Sequence, residues 1–289
     1  MSSRPYAQVI GDPIAQSKSP VIHGFWLEKL GFEADYTVER VPAGELAAYV
    51  DHVSQDPQWR GTNVTMPLKH EALERADVAH STARRIGASN TLVPGKAGGS
   101  AQIGAFNTDA AGFLEPLREK LAEKHYFRMA RILGTGGAAR AIITALYDEG
   151  FTIVLAGRNS DKARAMLDEL ASKGDHHAIA LDHFAAPTDF EFDDREDCLD
   201  LIVNATPLGM TGNPPLPFDW SHAPPGSIVY DIVTSPLDTD FLKAARNAGF
   251  ETLDGLHMLI GQAAVAFEKF FGAKAPREHD AELRERLLK

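Results

Sequence analysis

The stretch Gly134-Thr135-Gly136-Gly137-Ala138-Ala139-Arg140 decides the fold of the second half of the chain. It lies between an apolar strand predicted at 131–133 and a helical pattern at 138–149. Glycines at its first and third positions and alanine at its sixth are typical of the Rossmann turn that receives a dinucleotide pyrophosphate. The N-terminus of the following helix offers N–H groups to that anion. The turn therefore predicts cofactor binding by Gly134, Thr135, Gly136, Gly137 and Ala138.

The residues after the next predicted strand, at 151–155, indicate which dinucleotide is bound. An NAD site places an acidic residue there, against the ribose 2′-hydroxyl. This chain has Arg158-Asn159-Ser160, with Lys162 close by. A guanidinium forms charge-assisted hydrogen bonds with a 2′-phosphate, so these four residues predict NADP(H). The alternative is that Arg158 is an ordinary surface residue and that Ser160 caps the next helix.

Composition excludes several classes of partner. Because the chain has 289 residues, we expect two domains. Because its formal net charge is −11, we expect no nucleic-acid partner. Apolar runs fall short of the roughly 20 residues that cross a bilayer, and the first residues lack a signal-peptide core. We therefore expect no membrane partner and a cytoplasmic location. A single cysteine, Cys198, permits no intrachain disulfide and no zinc site of several thiolates. The histidines at 176, 177 and 183 are interpreted as a solvated polar loop, and no metal is expected.

Hydrophobic periodicity predicts alternating strands and helices in both halves of the chain. In the first half, strands are predicted at 6–10, 36–41 and 61–65, and helices at 21–30, 43–53 and 70–76. After residue 109, helices are predicted at 111–123, 161–171, 240–248 and 256–271 and strands at 201–204 and 228–231, with a charged surface helix from 276. This alternation is typical of α/β proteins with mainly parallel sheets.

Five polar signatures lie outside the glycine-rich turn. They are Ser17-Lys18-Ser19-Pro20, Asn63-Val64-Thr65-Met66-Pro67-Leu68-Lys69, Gly87-Ala88-Ser89-Asn90-Thr91, Asn107-Thr108-Asp109 and Gly261-Gln262-Ala263-Ala264. Their hydroxyls, amides, lysine and aspartate suit a small polyhydroxylated anion.

Alternation along the chain shows how these side chains can cooperate. Ser17 and Ser19 point the same way if the backbone is extended, although Ser19 before a proline also suits a helix N-cap. Asn63 and Thr65 likewise share one face of a strand. Lys69 lies at a helix start, the unfavourable end of the helix dipole for a cation, which is unusual for a purely structural lysine.

Together these motifs resemble the shikimate dehydrogenase family, which reduces 3-dehydroshikimate to shikimate with NADPH in chorismate and aromatic amino acid biosynthesis. The resemblance extends from Ser17 to Leu256. It implies that Lys69 is the catalytic acid/base, assisted by Asp109. The implied substrate-binding residues are Ser17, Ser19, Asn63, Thr65, Asn90 and Gln262. The implied further cofactor-binding residues are Asn204, Ala205, Thr206, Ile232 and Gly255.

The fold we predict is α/β with two domains. A substrate-binding domain with a mainly parallel sheet comprises residues 1–109 plus 255–289, so that C-terminal helices return to it. A Rossmann-type, doubly wound NADP-binding domain comprises residues 110–254. The protein is expected to be a monomer or a homodimer.

One of the departures from the family pattern, and three alternatives, stay open at this point. Thr234 stands where the family commonly has a tyrosine that contacts substrate. A quinate/shikimate dehydrogenase with relaxed cofactor use is the nearest alternative, with Arg158 against an NAD preference. Methylenetetrahydrofolate dehydrogenase shares a similar two-domain plan but gives no reason for the two serines. A non-catalytic NADP-responsive binding protein is opposed by the presence of both Lys69 and Asp109.

Overall fold

The computed structural model describes residues 4–97, 100–192 and 195–288. The chain divides into two compact units. The discontinuous unit comprises Met1–Asp109 and Ile260–Lys289, and the central unit comprises Ala110–Leu259. The roles assigned above to residues 1–109 plus 255–289 and to 110–254 stay predictions.

The elements alternate between strand and helix, which confirms the predicted α/β class. Up to residue 106 they are β1 (Tyr6–Gly11), α1 (Ser19–Leu30), β2 (Asp35–Arg40), α2 (Leu46–Val53), β3 (Trp59–Val64), α3 (Lys69–Arg75), β4 (Val78–Ala79), α4 (Ser81–Ile86), β5 (Thr91–Ala97) and β6 (Ser100–Phe106). The remainder are α5 (Asp109–Leu114), α6 (Arg118–Ala122), β7 (Phe127–Leu133), α7 (Gly137–Asp148), β8 (Thr152–Gly157), α8 (Ser160–Leu170), β9 (His177–Ala180), β10 (Cys198–Asn204), β11 (Ile228–Asp231), α9 (Asp240–Asn247), β12 (Glu251–Leu253), α10 (Gly255–Phe271) and α11 (Asp280–Leu287).

The sheet of the discontinuous unit has the strand order β2-β1-β3-β5-β6-β4. Strand β1 pairs parallel with β2 and β3, and β4 pairs parallel with β6. Strand β5 is antiparallel to both β3 and β6. The sheet is mainly parallel, as predicted, but it contains a β5-β6 hairpin that the periodicity did not indicate.

The sheet of the central unit has the order β12-β11-β10-β7-β8-β9, and all its strands pair in parallel. Numbered within the unit, this is the order 3-2-1-4-5-6 of a Rossmann domain. The topological switch point lies between β7 and β10, and ligands bind at the carboxyl ends of such strands. The glycine-rich turn follows β7 directly.

Three local predictions were wrong. The helix predicted at 111–123 is interrupted by a 3₁₀ turn at Glu115–Leu117, because Pro116 has no N–H to continue the helix. The polar loop predicted around His176 instead leads into strand β9. The His176 ring is buried, and its Nδ1 accepts a hydrogen bond from the Ile153 N–H at 3.0 Å. Finally, Ser19 and Ser160 are first helical residues, and the preceding Lys18 and Asn159 occupy the N-cap positions.

A neutral histidine lies at the centre of the discontinuous unit. His23 on α1 is fully buried, and its ring stacks on Tyr36 at 3.9 Å between centroids and packs against Trp26, Phe267 and Phe270. Neither ring nitrogen hydrogen-bonds to any residue in the described part of the chain. Burial lowers the pKa of His23 to about 3. The ring therefore stays neutral when folded but takes up a proton near pH 6.5 once exposed.

This burial predicts acid sensitivity. Stability from His23 is complete above the unfolded pKa of 6.5 and is lost as the pH falls towards about 3. Between pH 7 and pH 5 His23 lowers the free energy of unfolding by about 2 kcal/mol, because its ring takes up a proton in the unfolded chain but not in the folded one. His23→Phe keeps the stacking but cannot titrate. We therefore expect its free energy of unfolding, measured by urea denaturation at the two pH values, to fall by about 2 kcal/mol less than that of the parent protein. Equal losses in both proteins would contradict the assignment.

None of the helices within the described ranges is long and apolar enough to cross a membrane.

Candidate active site

Lys69 and Asp109 form an ion pair in the discontinuous unit. Each is the first residue of its helix, α3 and α5, and Lys69 Nζ lies 2.5 Å from Asp109 Oδ2. The two side chains are 16% and 8% exposed. A charge pair this enclosed is screened less than a surface pair, so the two groups are held in a defined geometry. The sequence motifs, 40 residues apart, did not by themselves establish this contact.

Asn90 holds the other carboxylate oxygen of this pair. Its Nδ2 donates to Asp109 Oδ1 at 2.8 Å and to Thr108 Oγ1 at 2.9 Å, and its Oδ1 accepts from the Thr108 N–H at 2.8 Å. The half-buried Gln262 on α10 joins the group, because its Oε1 accepts a hydrogen bond from Thr108 Oγ1 at 3.3 Å. The structure therefore brings together Lys69, Asn90, Asp109 and Gln262.

The two serines of the first signature differ in their surroundings. Ser17 is half-buried, and its Oγ accepts a hydrogen bond from the Ser19 N–H at 3.3 Å, which leaves the hydroxyl proton able to reach a ligand. Ser19 is buried, and its N–H is the donor in that bond. Lys18 between them donates to the carbonyl oxygen of Leu287 on α11 at 2.7 Å.

Asn63 and Thr65 lie at the carboxyl end of β3. Asn63 is buried, and its amide donates to Asn90 O at 3.3 Å and to Thr91 Oγ1 at 3.1 Å. Thr65 is half-buried, and a Cβ added to Gly11 would approach its Cγ2 to 2.6 Å. The turn after β1 thus packs directly against Thr65, and only glycine fits there.

The glycine-rich turn of the central unit fits a dinucleotide phosphate. Gly134 has φ +119°, and a Cβ on it would lie 2.7 Å from Ala205 O, so both conformation and packing require glycine. Gly136 is different: it caps α7 with φ −86°, and a Cβ on it would meet nothing within 4 Å. Neither strain nor packing explains glycine at 136, whereas the approach of a phosphate to the helix N-terminus would. Thr135, Gly137 and Ala138 complete the turn.

Arg158, Asn159, Ser160 and Lys162 follow β8, the strand next to β7, and all four are exposed. Asn159 Oδ1 accepts a hydrogen bond from the Lys162 N–H at 2.9 Å, which caps α8 and fixes the turn. Cationic side chains at the carboxyl end of this strand match the position expected for a ribose-phosphate site.

A second cofactor-site prediction falls on a loop organised around a buried carboxyl. Asp231 accepts hydrogen bonds from Asn204 Nδ2 at 3.0 Å and from the Val233 N–H at 3.0 Å through Oδ1, and from Thr239 Oγ1 at 2.7 Å through Oδ2. Burial raises the pKa of the Asp231 carboxyl above its usual range. The sequence analysis assigned no role to Asp231, although an acidic residue at the end of an apolar strand is a signal for a buried carboxyl.

The side chain of Asn204 is fully committed within this loop. Its Nδ2 also donates to Leu208 O at 3.1 Å, while its Oδ1 accepts from the Thr206 N–H at 3.0 Å and the Thr206 hydroxyl at 2.7 Å. Ala205 is buried, and Thr206 is half-buried. Asn204 therefore shapes the loop whose backbone Gly134 contacts.

Gly255, Ile232 and Thr234 belong to the same part of the central unit. A Cβ on Gly255 would collide with the carbonyl oxygens of Val233 and Ile232, the latter at 2.6 Å, so close packing alone requires glycine at 255. Ile232 and Thr234 are half-buried after β11. Among the residues that the structure describes, no three His, Cys, Asp or Glu side chains are grouped as a metal site.

Comparison with known proteins identifies the family. A model described as the shikimate dehydrogenase substrate binding domain matches residues 9–92, and one described as the shikimate 5'-dehydrogenase C-terminal domain matches residues 255–282. The chain is 47% identical over 285 residues to a shikimate dehydrogenase (NADP(+)) of Sphingopyxis alaskensis, covering 98% of this chain and 97% of that protein.

Two solved structures show that similarity of fold alone does not distinguish a shikimate dehydrogenase from a 5-ketofructose reductase. Shikimate 5-dehydrogenase from Thermus thermophilus, in complex with NADP(H) and shikimate, superposes with a TM-score of 0.81 at 33% identity, covering 98% of this chain and 100% of that chain. The ligand-free 5-ketofructose reductase of a Gluconobacter species also reaches 0.81, at 27% identity, covering 98% and 99%. The superpositions are equal, so the nearly full-length sequence identity decides: the chain belongs to the shikimate dehydrogenase family.

Proposed function

We propose that this chain catalyses the NADP-dependent, reversible reduction of 3-dehydroshikimate to shikimate in aromatic amino acid biosynthesis. The observation that carries the proposal is the enclosed Lys69–Asp109 pair, whose carboxylate is also held by Asn90. A ketone reduction needs a proton donor fixed beside the carbonyl oxygen, and a lysine oriented by a carboxylate can serve as that donor.

The substrate's polar groups find matching partners in the discontinuous unit. The Ser17 hydroxyl, together with Ser19, would bind the carboxylate, because hydroxyl groups donate well to anions. Asn90, Gln262, Thr65 and Asp109 would hydrogen-bond the ring hydroxyls. A pocket of this kind rejects analogues that lack a hydroxyl, since its own polar groups would then be left unpaired.

The reaction then depends on where the proton is held. NADPH, when bound, supplies a hydride to the carbonyl carbon. Negative charge grows on the carbonyl oxygen, and Lys69 Nζ donates its proton there to give the hydroxyl of shikimate. Asp109 keeps the ammonium group oriented during this transfer. In the oxidation direction Lys69 takes the hydroxyl proton back.

The central unit would hold the cofactor. The turn from Gly134 to Ala138 at the start of α7 suits the pyrophosphate. Arg158, supported by Asn159, Ser160 and Lys162, suits the 2′-phosphate. The loop from Asn204 to Thr206, with Ile232 and Gly255, would lie along the rest of the cofactor.

The proposal includes the setting in which the enzyme works. The acidic chain acts without nucleic acid or membrane, as a monomer or homodimer. A cytoplasmic location fits a protein whose one cysteine, Cys198, can form no intrachain disulfide.

A single absorbance assay tests the proposal. Purified enzyme is supplied with shikimate or quinate, each with NADP⁺ or NAD⁺, and formation of the reduced nicotinamide is followed. We expect the highest kcat/KM for shikimate with NADP⁺, and a value more than about tenfold lower with NAD⁺, because Arg158 favours the 2′-phosphate. Preference for quinate, a smaller difference between cofactors, or no turnover with any pair would contradict it.

A further inference from the structure

A buried tyrosine is linked by hydrogen bonds to the proposed catalytic pair. Tyr36 on β2 is 8% exposed. Its hydroxyl donates to Asn63 Oδ1 at 2.7 Å. A phenol has one proton, so this bond uses the whole donor capacity of the Tyr36 hydroxyl.

Asn63 is hydrogen-bonded in turn to the residues beside the catalytic pair. Both protons of its amide are used within the protein, one on Asn90 O and one on Thr91 Oγ1. The Thr91 hydroxyl in turn donates to Asn90 Oδ1 at 2.9 Å. Because the Nδ2 protons of Asn63 are committed in this way, Asn63 orients Asn90 instead of donating to substrate. An unbroken series of hydrogen bonds thus runs from Tyr36 through Asn63, Thr91 and Asn90 to Asp109 and Lys69.

The register of the sheet explains how Tyr36 reaches Asn63. Strand β1 lies between their strands, with Ala7 opposite Tyr36 and Val9 opposite Asn63. All four residues therefore share one face, and the phenol extends diagonally across β1. On that face the Tyr36 ring stacks on His23 with an interplanar angle of 1°. The stacked ring leaves the hydroxyl little freedom to move.

We propose that Tyr36 is a positioning residue for shikimate turnover, which sets Asn63, and hence Asn90, at the catalytic end of the site. The inference rests on the proposed function. Tyr36 acts through residues that would touch the substrate, and it has no part in binding the cofactor.

Tyr49 provides a matched control on the other face of the same sheet. It is 7% exposed, and its hydroxyl donates to Gln8 Oε1 at 3.0 Å and pairs with Thr62 Oγ1 at 2.8 Å. Gln8 and Thr62 alternate with the residues that Tyr36 uses and face away from them. Removing either hydroxyl therefore breaks buried hydrogen bonding, one bond at Tyr36 and two at Tyr49, but only the loss at Tyr36 reaches the proposed site.

The test compares Tyr36→Phe with Tyr49→Phe in the full-length enzyme. We expect Tyr36→Phe to lower kcat/KM for shikimate about tenfold, the equivalent of one displaced hydrogen bond, mainly through KM, with the KM for NADP⁺ changed less than about twofold. Tyr36→Phe and Tyr49→Phe should lower the thermal midpoint by similar amounts. Tyr49→Phe should leave kcat/KM for shikimate and the KM for NADP⁺ within about twofold of the parent values. Asn63→Ala, which breaks the same series at its next residue, should reproduce the Tyr36→Phe kinetics even if Tyr36→Phe itself folds poorly.

Two outcomes would overturn the inference while leaving the proposed function intact. One is equal shikimate constants in the two tyrosine variants. The other is an equal rise in KM for shikimate and NADP⁺ in Tyr36→Phe, which would indicate general structural damage. If the parent enzyme failed to oxidise shikimate at all, the proposed function would fall, and this inference with it.

Discussion

Replacement of Lys69 by alanine is expected to lower kcat for shikimate oxidation by about two to four orders of magnitude, the usual contribution of a positioned acid/base. The substrate KM should change less, because Ser17, Asn90 and Gln262 remain to bind it. Steady-state kinetics with saturating NADP⁺ would measure both constants.

Lys29→Ala is the control for this experiment. Lys29 also forms an ion pair in the discontinuous unit, 2.6 Å from Glu282, but on α1 and α11, and none of its described contacts is with a proposed site residue. Its loss should leave kcat within about twofold, since exposed ion pairs contribute little. An unchanged kcat in Lys69→Ala would show that another group transfers the proton. Binding of NADP⁺, followed by protein fluorescence, should be retained in both variants and would show that each has folded.

Replacement of Arg158 by alanine is expected to raise the KM for NADP⁺ by about 10- to 100-fold, because a hydrogen-bonded charge pair contributes about 1.5–3 kcal/mol. The KM for NAD⁺, which has no 2′-phosphate, should change less than about threefold. The ratio of kcat/KM for the two cofactors is the measurement, and shikimate KM should stay constant.

Arg164→Ala is the matched control, because Arg164 is an arginine on the adjoining helix α8. Its guanidinium lies 3.9 Å from Asp168 and donates to His176 O at 3.1 Å, so it is already engaged within the protein. Cofactor preference should be unaltered in this variant. If Arg164→Ala changed the preference as much as Arg158→Ala, the effect would be one of overall charge and not of a specific contact.

Local sequence patterns predicted the alternation of strands and helices, but not helix α4 or the strands β4, β5, β6, β9 and β12. The turn at 134–140 predicted the β7-α7 junction, because its glycines follow a short apolar strand and precede a helical pattern. The hairpin of β5 and β6 was missed, because Pro94 and Gly95 within β5 are residues that normally argue against a strand. The break at Pro116 was also missed, since a proline can lie in the first turn of a helix without ending it.

The candidate site was predictable as a set of residues but not as a geometry. The motifs indicated Lys69, Asp109, Asn90 and Gln262, and the structure places them within one hydrogen-bonded group. Tyr36 gave no signal, because an aromatic residue in a strand is ordinary core material. Its importance depends on the register of three strands, and nothing local in the sequence specifies which side chains lie opposite one another across β1.

The contact from Lys18 to the carbonyl of Leu287 has a consequence for how the chain folds while it is being synthesised. The first signature of the chain is anchored to its last helix, with the whole of the central unit translated in between. The central unit is continuous, so all of its strands are synthesised before α11. Domains fold as units during synthesis, so the discontinuous unit, which carries the two serines, can complete this contact only after α11 has been made.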